Sequence, residues 1–168
     1  MSFFRITLLL LIGTSLQTLL PGPVALGSNN WPILLGLVLY ISLKSDRAHV
    51  LYAGLLAGLL HDAFSPAPLG VSIPFFLLIA LGIHVIREEV FGDQIITYAV
   101  LGLLGALCKT LYFTLVFAAT GLRPIGAGSF AISLMGSLLL GAITTSLIFL
   151  FLSILPSRKT RKSRWIES

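Results

Sequence analysis

Six apolar runs, almost free of charged residues, constrain the fold of this chain more than any other feature of its sequence. They occupy residues 3–20, 31–43, 48–64, 72–86, 95–119 and 129–155. A helix needs about 20 apolar residues to cross the hydrocarbon core of a bilayer. Only 10% of the residues are charged, against roughly 25% in soluble domains, and the mean hydropathy is +1.02. The sequence therefore predicts an all-α, polytopic membrane protein, a bundle of about six transmembrane helices.

The basic residues predict the orientation of this bundle. With the N-terminus inside, nine Lys and Arg side chains lie on the inner side and only Arg123 lies on the outer side, which is a strong positive-inside bias. We therefore expect both termini to be cytoplasmic and the connection around residues 61–70 to face outward. We expect one transmembrane domain over residues 1–157 and a basic cytoplasmic tail over 158–168, whose charges are typical of lipid contact rather than of nucleic-acid binding.

Two of the apolar runs need comment. The first is longer than a signal-peptide core and no Ala-x-Ala site follows it, so we expect an uncleaved helix in which Gln17 seeks a partner on another helix. The second begins with Trp31-Pro32, with Asn29 and Asn30 as candidate caps, and is short for a span. It could thin the bilayer, extend at its ends, or be shielded by neighbouring helices.

The stretch GLLAGLLHDAFSPAPLG, residues 54–70, concentrates unusual residues. Gly54, Gly58 and Asp62 follow one another at intervals of four, so they share one side of a helix. Glycines at this spacing let two helix backbones touch, either within this chain or with a partner. Asp62 is either wetted at the membrane surface or functional, because acids near the membrane interior default to a functional role. A turn with prolines and Gly70 ends the helix, and Ser72 is the expected cap of the next one.

Two further features lie on the last two helices. Lys109 falls near the bilayer interior with Gly102 and Gly105 on nearly the same face, so we expect it to point into the bundle, too deep for a direct ion pair with Asp62. A ladder of small residues at intervals of four includes Ser133, Ser137 and Gly141, which is typical of close helix packing.

No pattern in the sequence indicates catalysis, a cofactor or a metal. His61 and Asp62 are adjacent and would point about 100° apart on a helix, with no nucleophile motif beside them. The three histidines fall on different segments, which argues against a shared metal site. The single cysteine, Cys108, lies in an apolar run and is expected to be a packed thiol. We therefore expect a non-enzymatic protein that needs no cofactor.

The motif Gly54-x-x-x-Gly58-x-x-x-Asp62, followed by a turn containing Pro68-Leu69-Gly70, resembles the rod shape-determining protein MreD family. The Trp31-Pro32 start of a short second helix and the small size of the chain are also similar. Lys109 and the basic tail have no counterpart in the motif.

This resemblance implies a non-enzymatic subunit of the cell-elongation machinery in the bacterial inner membrane, with an architecture similar to the substrate-binding subunits of energy-coupling-factor transporters. The implied partners are the bitopic protein MreC and, through it, MreB, RodA and its penicillin-binding transpeptidase. A partner's transmembrane helix would dock on the Gly54/Gly58 face or on the Ser133 ladder, with the corner from Asp62 to Gly70 fixing its outer end. The competing prediction is a vitamin-binding transporter subunit in which His61, Asp62 and Lys109 line an outward pocket.

Overall fold

The fold is all-α throughout the part of the chain that the computed structural model describes, residues 2–20, 22, 31–65, 68–87, 95–120 and 127–154. The helices are α1 Phe3–Leu19, α2 Ile33–Lys44, α3 Arg47–Ala63, α4 Ser72–Ile86, α5 Ile95–Thr120 and α6 Ala127–Ile154. The all-α class and the six helices predicted from the apolar runs are therefore confirmed over these ranges, where no strand occurs. Residues 29–30, the candidate caps of α2, and the basic tail lie outside the described residues.

Helix α2 forms the centre of the bundle. Every residue from Ile33 to Ser42 is buried, and the helix packs against each of the other five. A helix that is apolar on all sides needs either protein neighbours or lipid around it, and in this structure protein neighbours surround α2. The short second run is thus shielded by neighbours, the last of the three alternatives that its length left open.

The remaining helices surround α2 as two hairpins and a single helix. Helices α3 and α4 form one closely packed hairpin and α5 and α6 form the other, whereas α4 and α5 touch only lightly. Helix α1 lies against α2 and α3. The side-chain oxygen of Gln17 accepts a hydrogen bond of 3.1 Å from the backbone N–H of Leu34, so the expected interhelical partner of Gln17 is a free N–H in the first turn of α2.

Two helices, α5 and α6, contain segments long and apolar enough to cross a membrane, Ile96–Thr120 and Phe130–Ser153. Large apolar side chains are exposed on the outside of the bundle, including Leu78 at 71%, Leu115 at 70% and Phe151 at 68%.

Candidate functional site at the turn between α3 and α4

The carboxylate of Asp62 joins the end of α3 to the start of α4. One oxygen accepts hydrogen bonds from the backbone N–H groups of Gly70, at 2.7 Å, and Ser72, at 3.1 Å, and the other lies 3.2 Å from the same Ser72 nitrogen. The first N–H groups of a helix have no partner within the helix and attract negative charge. Asp62 is only 3% exposed, so it is a buried structural anchor. The alternative of a carboxylate wetted at the membrane surface is wrong.

The serine predicted to cap α4 has a different role. Ser72 is the first residue of α4, and the residue at the cap position, Val71, makes no side-chain capping bond. The hydroxyl of Ser72 lies 2.9 Å from Nδ1 of His61. The cap prediction for Ser72 is therefore wrong, because a carboxylate from the preceding helix takes the position that a local cap would fill.

Gly54 and Gly58 pack against α4 of the same chain. A Cβ added at Gly58 would lie 2.5 Å from Cα of Ile73, and one added at Gly54 would lie 3.1 Å from the carbonyl oxygen of Phe76. The two glycines thus allow close contact between two helices of the same chain, rather than contact with a partner. The hypothesis that a partner's helix docks on this face is wrong, since α4 already covers it.

The turn itself presents apolar surface. Gly70 has a φ of 97°, which a glycine adopts at little cost, and an added Cβ there would meet nothing within 4 Å. Leu69 is 76% exposed and Phe64 is 61% exposed. Pro68 precedes them in the turn, and its carbonyl accepts a weak 3.4 Å hydrogen bond from the N–H of Val71. Leu69 is therefore an exposed leucine directly before the residue that the Asp62 carboxylate holds.

A tyrosine on α5 completes the anchoring of this turn. The hydroxyl of Tyr112 donates a 2.7 Å hydrogen bond to the carbonyl of Val71. Its ring centroid lies 5.4 Å from that of Phe75 on α4. Sequence reasoning missed Tyr112, because a tyrosine in an apolar run carries no local sign of a partner 41 residues away.

His61 and Asp62 do not form a catalytic triad with Ser72. The same ring nitrogen of His61, Nδ1, faces both the Ser72 hydroxyl, at 2.9 Å, and an Asp62 oxygen, at 3.8 Å. In a triad the serine and the carboxylate address opposite nitrogens of the imidazole. Ser72 is also fully buried. His61 and Asp62 nevertheless both contact Ser72, although adjacent residues on a helix were expected to point about 100° apart. They can do so because the start of α4 lies between their side chains.

The small-residue ladder on α6 packs against α5. A Cβ added at Gly141 would lie 2.5 Å from Cβ of Ala106, and the Ser137 hydroxyl lies 2.7 Å from that of Thr110. Further along, the hydroxyl of Thr145 donates a 2.9 Å hydrogen bond to the carbonyl of Tyr98. The ladder thus provides close helix packing, as its spacing indicated, but the partner is α5. The hypothesis that a partner's helix docks on this face of α6 is therefore wrong at Ser137 and Gly141, which α5 covers. Ser133, one helical turn before Ser137, is partly buried.

Lys109 and Cys108 are neighbouring residues on α5. No ion pair joins Lys109 to Asp62 among the described residues. The thiol of Cys108 is exposed, so the expectation of a packed thiol is wrong. Within the described ranges, no three His, Cys, Asp or Glu side chains are grouped so that they could hold a metal ion.

The described fold and site define an all-α bundle around a central buried helix, with a turn clamped by a buried carboxylate. Comparison of the chain with protein-family models, with curated proteins and with solved structures found no match.

Proposed function

We propose that this chain is a multi-pass protein of the bacterial inner membrane and a non-enzymatic scaffold subunit of the cell-elongation complex. In this proposal it binds MreC directly and, through MreC, assembles with MreB, RodA and its penicillin-binding transpeptidase. The observation that carries the proposal is the turn from Pro68 to Gly70, clamped by Asp62 with Leu69 exposed at its tip. The residues on which the resemblance to the MreD family rests are those that build this turn.

The distribution of apolar surface supports a multi-pass arrangement. Large apolar side chains are exposed on each of the five helices that surround α2, for example Leu8, Leu55, Leu78, Leu104 and Leu139. Water would disfavour so large an apolar exterior, whereas lipid tails would cover it. The excess of Lys and Arg on one side supports cytoplasmic termini, which puts Leu69 at the outer surface of the membrane.

The packing of the helices leaves the turn before α4 as the proposed contact with MreC. The glycine face of α3 and the small face of α6 are both occupied inside the chain. Leu69 and Phe64, five residues apart in the sequence, are both exposed. MreC crosses the membrane once and leaves it on the outer side, so its segment just outside the bilayer would meet this tip. Burying a leucine side chain contributes about 1.5–3 kcal/mol, a useful anchor for such a contact.

The experiment is co-purification of tagged protein with MreC from a bacterial host that expresses both. Leu69→Ser removes the exposed side chain without touching the clamp of Asp62. We expect it to weaken the association by roughly tenfold or more, from the lost burial of one leucine.

The matched control is Leu19→Ser, because Leu19 is 78% exposed against 76% for Leu69 and also lies at the outer end of a helix in the proposed orientation. Leu19→Ser should retain MreC like the unmodified protein. Equal retention of MreC by the Leu69→Ser and Leu19→Ser variants would exclude the turn as the contact. Failure of the unmodified protein to retain MreC would exclude the scaffold proposal as a whole.

A further inference from the structure

Lys109 is a cation in the middle of an apolar helix without a partner in the described structure. It lies eleven residues before Thr120, the end of α5, which corresponds to roughly 16 Å along the helix axis. Its ammonium makes no hydrogen bond and no ion pair with a described residue. An unpaired cation at this depth is costly, and such residues in membrane segments usually mark a binding site or a transport pathway.

The two carboxylates among the described residues, Asp46 and Asp62, do not supply the missing charge. Asp62 already accepts the N–H groups of Gly70 and Ser72. Asp46 precedes α3 at the end opposite to Asp62. The other four acidic residues lie in the sequence beyond the ends of the helices: Glu88, Glu89, Asp93 and Glu167. The first three precede Ile95, which is about 21 Å along α5 from Lys109, and the last follows α6 in the basic tail.

Lys109 lies on the face of α5 that points into the bundle. Gly102 and Gly105, seven and four residues before it, share this face. Added Cβ atoms there would meet Thr145 on α6 and, at 3.3 Å, Leu35 on α2. Gly105 is thus level with Leu35, which is close to the first residue of α2. Lys109 lies one turn further along α5, at a level beyond the start of α2. Lys109 is partly accessible.

His61 and several aromatic rings border the same region. The Nε2 atom of His61 makes no hydrogen bond with any described residue. The ring centroid of His61 lies 5.2 Å from that of Phe113, one turn beyond Lys109 on α5. It lies 5.6 Å from that of Phe76 on α4. Two polar groups without partners thus lie beside a cluster of aromatic rings.

We propose that Lys109 and His61 form a binding site for a small molecule that carries a carboxylate or phosphate group and an apolar or aromatic body. The ammonium and the free imidazole nitrogen bind the anionic group, and the rings of Phe76 and Phe113 contact the body. The ligand enters from the outer end of the bundle, where His61 lies. This site does not depend on the scaffold function.

The test uses the full-length protein in lipid nanodiscs and benzoate, inorganic phosphate and benzamide as probes. Benzamide has the shape of benzoate without its charge. Ligand binding to the folded state raises the melting temperature by mass action, so benzoate well above its Kd should raise Tm by about 3 °C and benzamide should not. The variant Lys109→Met should abolish the benzoate shift. The matched control Lys44→Met, which removes an exposed lysine at the other end of α2, should keep it.

Labelling of Lys109 with a small amine-reactive reagent provides a second measurement on the unmodified protein, which is independent of whether Lys109→Met folds. Benzoate or phosphate should slow the labelling of Lys109 and leave that of Lys44 unchanged, as detected by mass spectrometry of the peptides. Equal Tm shifts with benzoate and benzamide, a shift that persists in a folded Lys109→Met variant, or the absence of any protection of Lys109 by both anions would each overturn the proposal.

Discussion

Replacement of Asp62 by alanine should destabilise the protein more than any other single change of a charged residue in the turn. The carboxylate is 3% exposed and accepts hydrogen bonds from two backbone N–H groups, those of Gly70 and Ser72. Alanine would leave both donors without a partner. It would also remove the negative charge that opposes the positive end of α4.

The expected magnitude follows from these losses. A buried donor left unsatisfied costs about 1–3 kcal/mol, so two of them together should cost roughly 3–4 kcal/mol once partial rehydration of the exposed Gly70 is allowed for. For a chain of this size each kcal/mol corresponds to about 2–4 °C in Tm, which gives a decrease of roughly 6–16 °C. Asp62→Asn retains one acceptor oxygen but not the charge, so its Tm should lie between that of the unmodified protein and that of Asp62→Ala.

The assay is thermal unfolding of the purified variants in one detergent, followed by circular dichroism. Asp46→Ala is the control, because Asp46 is an aspartate at the cap position of α3 that is exposed and makes no side-chain capping bond. Its Tm should change by less than about 2 °C, as for most surface substitutions. If Asp62→Ala melts within 2 °C of Asp46→Ala, the carboxylate is not the clamp described above.

Three further substitutions test the packing around the turn, measured by the same unfolding assay. Gly58→Ala should lower the free energy of unfolding by about 2–3 kcal/mol, because the added Cβ meets the α4 backbone. In the control Gly82→Ala the added Cβ meets nothing within 4 Å, so this change should be neutral or stabilise by up to ~1 kcal/mol. Equal effects of the two changes would contradict the close contact at Gly58. Gly70→Ala should cost about 1–2 kcal/mol because φ is 97°, and a neutral result would mean that the turn relaxes. Tyr112→Phe should cost about 1 kcal/mol by leaving the Val71 carbonyl without its donor, and an unchanged Tm would show that this bond does not hold α5 to the turn.

The helices could be predicted from the sequence because their limits depend on local chemistry. Apolar runs broken by proline, glycine and charged residues gave all six helices to within about two residues at each end, the usual uncertainty of helix boundaries. The shared face of Gly54, Gly58 and Asp62 followed from helical periodicity alone. The partner of that face did not, because periodicity shows which residues are neighbours on one helix and not which helix covers them.

The errors at the site share a physical cause. Ser72 has the residue type and position of a cap, yet Asp62, ten residues earlier, makes the capping bond instead. A buried carboxylate is a stronger acceptor than a serine hydroxyl, and only the path of the turn brings it there. The central position of α2 was likewise open, since a short apolar helix has the same sequence whether lipid or protein surrounds it.

Photocrosslinking in living cells tests the central proposal, that the turn at Leu69 binds MreC, most directly. A photoreactive phenylalanine analogue would replace Leu69 in one strain and Leu19 in another, and crosslinked products would be detected with an antibody to MreC. The account predicts a product of the combined mass with the analogue at position 69 and none at position 19. Crosslinks to MreC of equal yield from both positions, or from position 19 alone, would contradict it.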